Sequence, residues 1–154
     1  MDNPNILMIL VDDMGFSDLG CYGSKIQTPN IDSLAQNGWK FSQFYTCAKC
    51  SPSRASLLTG LYPHQAGMGL LAHRPGVEDL EEPPDGYVGH LRENCMTIAE
   101  ILKQHNYATY ISGKWHLSNN VVEESPTWPR NRGFDRHYGN INGATSYFYP
   151  QTVF

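Results

Sequence analysis

Six consecutive apolar residues, Ile6 to Val11, end abruptly at Asp12-Asp13-Met14-Gly15. A half-solvated strand would alternate apolar with polar side chains. An unbroken run of this length fits a central parallel strand covered on both faces, which implies an α/β sheet. Ligand sites in open α/β sheets lie at the carboxyl ends of strands. Asp12 and Asp13 stand at such an end, and two adjacent carboxylates offer the hard oxygen that suits a divalent cation. No histidine adjoins the pair, so zinc is the poorer fit. The run is too short to span a membrane and lacks the basic flank of a secretory leader.

The second constraint is Cys50-Ser51-Pro52-Ser53-Arg54-Ala55-Ser56-Leu57-Leu58-Thr59-Gly60. Pro52 suits the first turn of a helix, Ser51 before it is a good N-cap, and Gly60 is a natural stop. Cys50 is then expected at the mouth of a short helix, where free N–H groups and the helix dipole favour an anion. Arg54, four residues on, falls on the same side. A thiol and a guanidinium at such an end suit a tetrahedral oxyanion. Cys47-Ala48-Lys49-Cys50 is also a CxxC, which fits a redox pair or half a zinc site. No second close-spaced cysteine pair completes a zinc set.

The other elements follow from caps and periodicity. Thr28, Pro29 and Gly38 bound a helix whose core face is Ile31, Leu34 and Ala35. Trp39 to Thr46 reads as a strand leading toward Cys50. Residues 68–94 are rich in Gly, Pro and acid, with Pro83-Pro84 inside, and read as a surface insertion. His64, a loop histidine with no partner visible in the sequence, is given a structural role. Thr97-Ile98-Ala99-Glu100 is a capping box, opening a helix with His105 flanking the core at its end. Ala108 to Ser112 reads as a short strand, ending at Gly113-Lys114-Trp115-His116-Leu117. If that segment stays extended, Lys114 and His116 share one face.

Several of these stretches together resemble the sulfatase family. Cys50-Ser51-Pro52-Ser53-Arg54 followed by Leu58-Thr59-Gly60 is similar to its signature. Val11-Asp12-Asp13-Met14-Gly15-Phe16-Ser17-Asp18-Leu19-Gly20-Cys21-Tyr22-Gly23 resembles its N-terminus. Gly113-Lys114-Trp115-His116-Leu117 resembles a second motif, although glycine often follows there and this chain has Ser118. Gly133-Phe134-Asp135-Arg136-His137-Tyr138-Gly139 resembles a later turn, read as structural.

The resemblance implies an alkaline phosphatase-like α/β sandwich with a mostly parallel central sheet flanked by helices. It implies hydrolysis of a sulfate monoester to alcohol and sulfate. In the family the cysteine is oxidised to formylglycine, here at Cys50, by a formylglycine-generating or sulfatase-maturing enzyme. The aldehyde hydrate is the nucleophile, and its second hydroxyl allows sulfate to be expelled. Arg54 and Lys114 would neutralise charge and His116 would take a proton. Calcium would lie on Asp12, Asp13 and the oxygen derived from Cys50. A phosphonate monoester or phosphodiester hydrolase of the same superfamily is the alternative enzyme, and a Cys47–Cys50 redox module the alternative outside it.

The family's metal site also uses a later Asp-Asn-type pair, and its sulfate pocket a further histidine and lysine. None is recognisable up to Phe154. Residues 1–154 are therefore expected to be the N-terminal portion of a sulfatase catalytic domain, with an incomplete sheet and no activity alone. The formal charge of −4 and the absence of a basic run do not suggest a nucleic-acid partner. Compartment, natural substrate and oligomeric state are not encoded in any motif found.

Overall fold

A computed structural model describes residues 3–72, 80–150 and 153–154. It divides into two compact units, Met1–Tyr45 and Thr46–Phe154.

In the first unit, helix α1 spans Pro29–Asn37, with Thr28 as N-cap and Gly38 as C-cap. These are the expected bounds, because Pro at the first position and Gly after the last act locally. The Thr28 hydroxyl does not cap a helical N–H. It donates to Asp32 Oδ1 at 2.9 Å and accepts from Gly20 N at 2.8 Å. Asp32 also accepts from Cys21 N at 2.8 Å, so one carboxylate ties the 3₁₀ turn Gly20–Tyr22 to α1. Tyr22 stacks near Phe16 and donates to Phe41 O at 2.6 Å.

Three expectations along residues 6–46 are corrected. Ile6–Val11 joins no strand of the sheet found among the described residues, and its side chains are 44–85% exposed. An apolar run specifies a buried environment, but a strand also needs a neighbour to accept its N–H groups. The same holds for residues 39–46, where no strand forms and Trp39 is exposed. The apolar stripe of α1 is likewise uncovered: Ile31 and Leu34 are exposed, and no residue of the helix is buried.

The second unit holds the core. Helix α2 spans Cys50–Thr59 and helix α3 spans Ile98–Gln104. Strands β1, Tyr110–Ser112, and β2, Arg136–Tyr138, pair in parallel, with Ile111 opposite His137. This is the strand–helix grammar of an α/β fold, built on one short parallel pair. Beyond β1 the two segments stay joined: Gly113 N donates to Tyr138 O at 2.8 Å and Trp115 N to Asn140 O at 2.9 Å.

Trp115 is the largest of the fully buried side chains, packed among Met68, Leu91, Leu117 and Ile141. Its indole N–H donates to Thr127 O at 2.9 Å, and Phe134 meets its ring edge-on. The α3 capping box forms as read: Glu100 N donates to Thr97 Oγ1 and Thr97 N to Glu100 Oε2. Buried Arg132 locks that end by donating to the carbonyls of Leu91, Arg92 and Cys95 and pairing with Glu100 at 3.3 Å. His105 is exposed as the C-cap of α3, not set against the core, because only Ala99 of that helix is buried.

Residues 68–94 are not a wholly solvated excursion. Met68, Ala72 and Leu91 are fully buried, and Gly69 N donates to Gly86 O. Residues 73–79, with the acidic Glu78 and Asp79, lie outside the described residues. His64 meets Tyr87 through Nε2 at 3.1 Å.

Candidate active site

The site of the second unit starts at the mouth of α2. Lys49, with extended backbone, is the N-cap, and its carbonyl accepts from Ser53 N at 3.0 Å. Cys50 is thus the first helical residue. Ser51 was expected to cap; instead it is fully buried inside the first turn, and its hydroxyl accepts from Ala72 N at 3.2 Å. Pro52 costs no hydrogen bond there, because the first four N–H groups of a helix have no intrahelical acceptor. Gly60 ends the helix at φ 71°, donating to Ser56 O, a conformation that glycine adopts without strain.

This start leaves the positive end of a ten-residue helix beside a half-buried Cys50. Cys50 Sγ lies 3.2 Å from Nδ1 of His116, a residue 66 positions away. One turn further along α2, buried Arg54 donates from Nη1 to the carbonyl of Lys114 at 2.7 Å. The two motifs that carry Cys50, Arg54, Lys114 and His116 are therefore in direct contact. Cys47 stands apart from this arrangement. It is exposed, its Sγ lies 3.5 Å from Ser56 Oγ, and all four cysteines are free.

The 113–117 segment does not stay extended, so strand alternation does not set the relation of Lys114 to His116. β1 stops at Ser112, Gly113 has φ 108°, and His116 has φ 56°. A regular strand sends successive N–H groups to opposite sides. Here Trp115 N and His116 N both donate to the same neighbouring segment, to Asn140 O and Ile141 O at 2.9 Å. The left-handed backbone at His116 makes that possible. A non-glycine residue held this way costs about 1 kcal/mol or more and persists only where its surroundings fix it. His116 is 4% exposed.

Asp12 and Asp13 lie in the first unit, both exposed, with Asp13 at φ 54°. Among the described residues no group of three or more His, Cys, Asp or Glu side chains is arranged to hold a metal. Residues 140–143 belong to none of the sequence motifs. Their contact with His116 is purely tertiary, and the only trace in sequence is the small, turn-prone Asn142-Gly143-Ala144.

The family model described as Sulfatase matches residues 4–154. The arylsulfatase of Klebsiella aerogenes is 37% identical over 147 residues, covering 96% of this chain and 30% of its own length. Human arylsulfatase A is 43% identical over 142 residues, covering 88% of this chain and 25% of its own. The crystal structure of Ps i-CgsB superposes with a TM-score of 0.74 at 39% identity, over 95% of this chain and 30% of that one. The chain thus spans less than a third of the length of these relatives. The match across nearly every residue, on a fold shared at 39% identity, shows that this chain belongs to the sulfatase family, with the α/β architecture of the alkaline phosphatase superfamily.

Proposed function

We propose that this chain carries part of the active site of a sulfuric ester hydrolase that cleaves a sulfate monoester to alcohol and sulfate. The observation that carries the proposal is the 3.2 Å approach of Cys50 Sγ to His116 Nδ1. A nucleophile precursor and a proton-transfer group within hydrogen-bond reach, at a helix N-terminus, suit attack on a tetrahedral anion.

Oxidation of Cys50 to formylglycine by a formylglycine-generating or sulfatase-maturing enzyme would supply an aldehyde whose hydrate has two hydroxyls, one to attack and one to release the ester. Cys50 fits that modification, because it is half-buried at the helix mouth and free of any disulfide. His116 would hold or accept a proton at the Cys50 position through Nδ1. Arg54, fixed by its bond to the Lys114 carbonyl, places a permanent positive charge one turn below Cys50. Lys114 would add a second cation against the anionic ester. Calcium would polarise the ester oxygens. Asp12 and Asp13 fit it in donor chemistry, offering only oxygen, but two carboxylates are a fraction of the six to eight oxygens calcium takes. We therefore read residues 1–154 as the N-terminal portion of the catalytic domain, with the remaining ligands and pocket groups supplied from outside these residues.

The test is a pair of substitutions in a catalytically complete sulfatase carrying this segment. Cys50→Ala abolishes hydrolysis of an aryl sulfate, while Cys47→Ala keeps most of it. Equal loss from both, in folded protein, would point to a CxxC function. A parallel assay with a phosphate diester separates the sulfatase from a phosphodiesterase of the same fold.

A further inference from the structure

Gly143 lies against the imidazole of His116. A Cβ at position 143 would stand 2.4 Å from Cε1, 2.5 Å from Nε2 and 2.9 Å from Nδ1 of that ring. Such distances are below any van der Waals contact, so a side chain there forces something to move. The need for glycine is not conformational: Gly143 is not among the residues with positive φ. An alanine could adopt this backbone; what it lacks is room.

His116 has little freedom to yield. It is buried, its N–H is held by Ile141 O at 2.9 Å, and its backbone sits in the left-handed region. Its ring is bounded by Cys50 Sγ at 3.2 Å through Nδ1 and by the Gly143 backbone close enough to exclude a methyl group. The same short segment, Asn140 to Gly143, thus fixes His116 twice, by a main-chain bond and by ring contact.

We infer that Gly143 is a positioning residue for His116, its missing side chain being the space in which the ring reaches Cys50. The functional meaning of this contact rests on the reading of Cys50 and His116 as the reacting pair; the contact itself does not.

The experiment uses this chain with Gly143→Ala, His116→Ala and the double substitution. Gly143→Ala lowers the melting temperature by about 3–10 °C, as expected for overpacking in a chain of this size. In the His116→Ala background, where the ring is gone, the same substitution shifts it by about 1 °C or less. Equal shifts in both backgrounds would overturn the inference, since Gly143 would then serve the backbone alone. If Gly143→Ala fails to fold, rescue by the double variant supports the inference, and failure of the double where His116→Ala folds overturns it. A spectroscopic readout accompanies the melts. In ¹⁵N-histidine-labelled protein, Gly143→Ala moves the His116 ring signals in the same direction as Cys50→Ala. Unmoved His116 signals would also overturn the inference. Neither readout measures turnover, so failure of the hydrolase reading and failure of this one are distinguishable.

Discussion

Arg54 reaches across 60 residues of sequence to donate from Nη1 to the main-chain oxygen of Lys114 at 2.7 Å. The bond joins the helix that presents Cys50 to the segment that presents His116. It goes to backbone, so it registers the two segments whatever the Lys114 side chain does.

Arg54→Ala leaves the Lys114 carbonyl without this donor and opens a space in a buried site. The expected loss is about 2–3 kcal/mol of folding stability, typical of a hydrogen bond to a charged group. Arg54→Lys recovers only part, because an ammonium cannot reproduce the planar fork of donors. Urea unfolding of the three proteins measures this. Equal stability of Arg54→Lys and wild type would show that the charge matters and the geometry does not.

Two groups should make stability fall toward acid. Lys103 donates to Asp135 Oδ1 at 2.7 Å, and Thr109 donates to Oδ2. The Lys103 bond first, and then the Thr109 bonds, hold the Asp135 carboxyl down from 3.8 to about 2. A depressed carboxyl stabilises the fold fully above its unfolded value, and that contribution is lost as pH falls through the folded value. The window is therefore about pH 4 to 2. Burial pushes His137 below its ordinary 6.5, with a backbone hydrogen bond to Gly113 opposing, and its Nε2 is buried without a hydrogen-bond partner among the described residues. Below pH 6.5 the unfolded chain takes that proton more readily than the folded one, so stability also declines there. Urea midpoints measured against pH should show both declines. Asp135→Asn removes the lower one and His137→Gln the upper. An unchanged slope in either variant would refute that assignment.

Calcium binding by residues 1–154 alone should be weak, because Asp12 and Asp13 are only two carboxylates. Titration calorimetry with calcium, on the wild type and on Asp12→Ala/Asp13→Ala, checks this. The expected result is a weak signal that the double variant loses, with aryl sulfate hydrolysis at background even after Cys50 is modified. Full affinity in the double variant would refute the ligands. Robust Cys50-dependent turnover by the 154-residue monomer would refute the reading of it as a partial site.

What could be read from sequence divides by range. The bounds of α1 and the capping box of α3 were legible, because Thr28, Pro29, Gly38, Thr97 and Glu100 act within a turn of themselves. The N-cap of α2 is Lys49, two residues before Ser51, because Ser51, a good cap by type, is drawn inside to bond Ala72 N. Ile6–Val11 announced an apolar environment but not its neighbours, and strand formation depends on neighbours. The residues at the Cys50 site were legible through motif resemblance. Their mutual distance was not, since 66 positions separate Cys50 from His116. Gly143 was illegible for a sharper reason: its role is an absence of atoms, and only the facing imidazole reveals it.

The central claim is that Cys50 is the precursor of the nucleophile. Peptide mass spectrometry of the chain co-expressed with a formylglycine-generating enzyme tests it most directly. The account predicts an aldehyde at Cys50 and an intact thiol at Cys47. A Cys50 that remains a thiol, or that pairs with Cys47, while a known sulfatase in the same cells is converted, would contradict it.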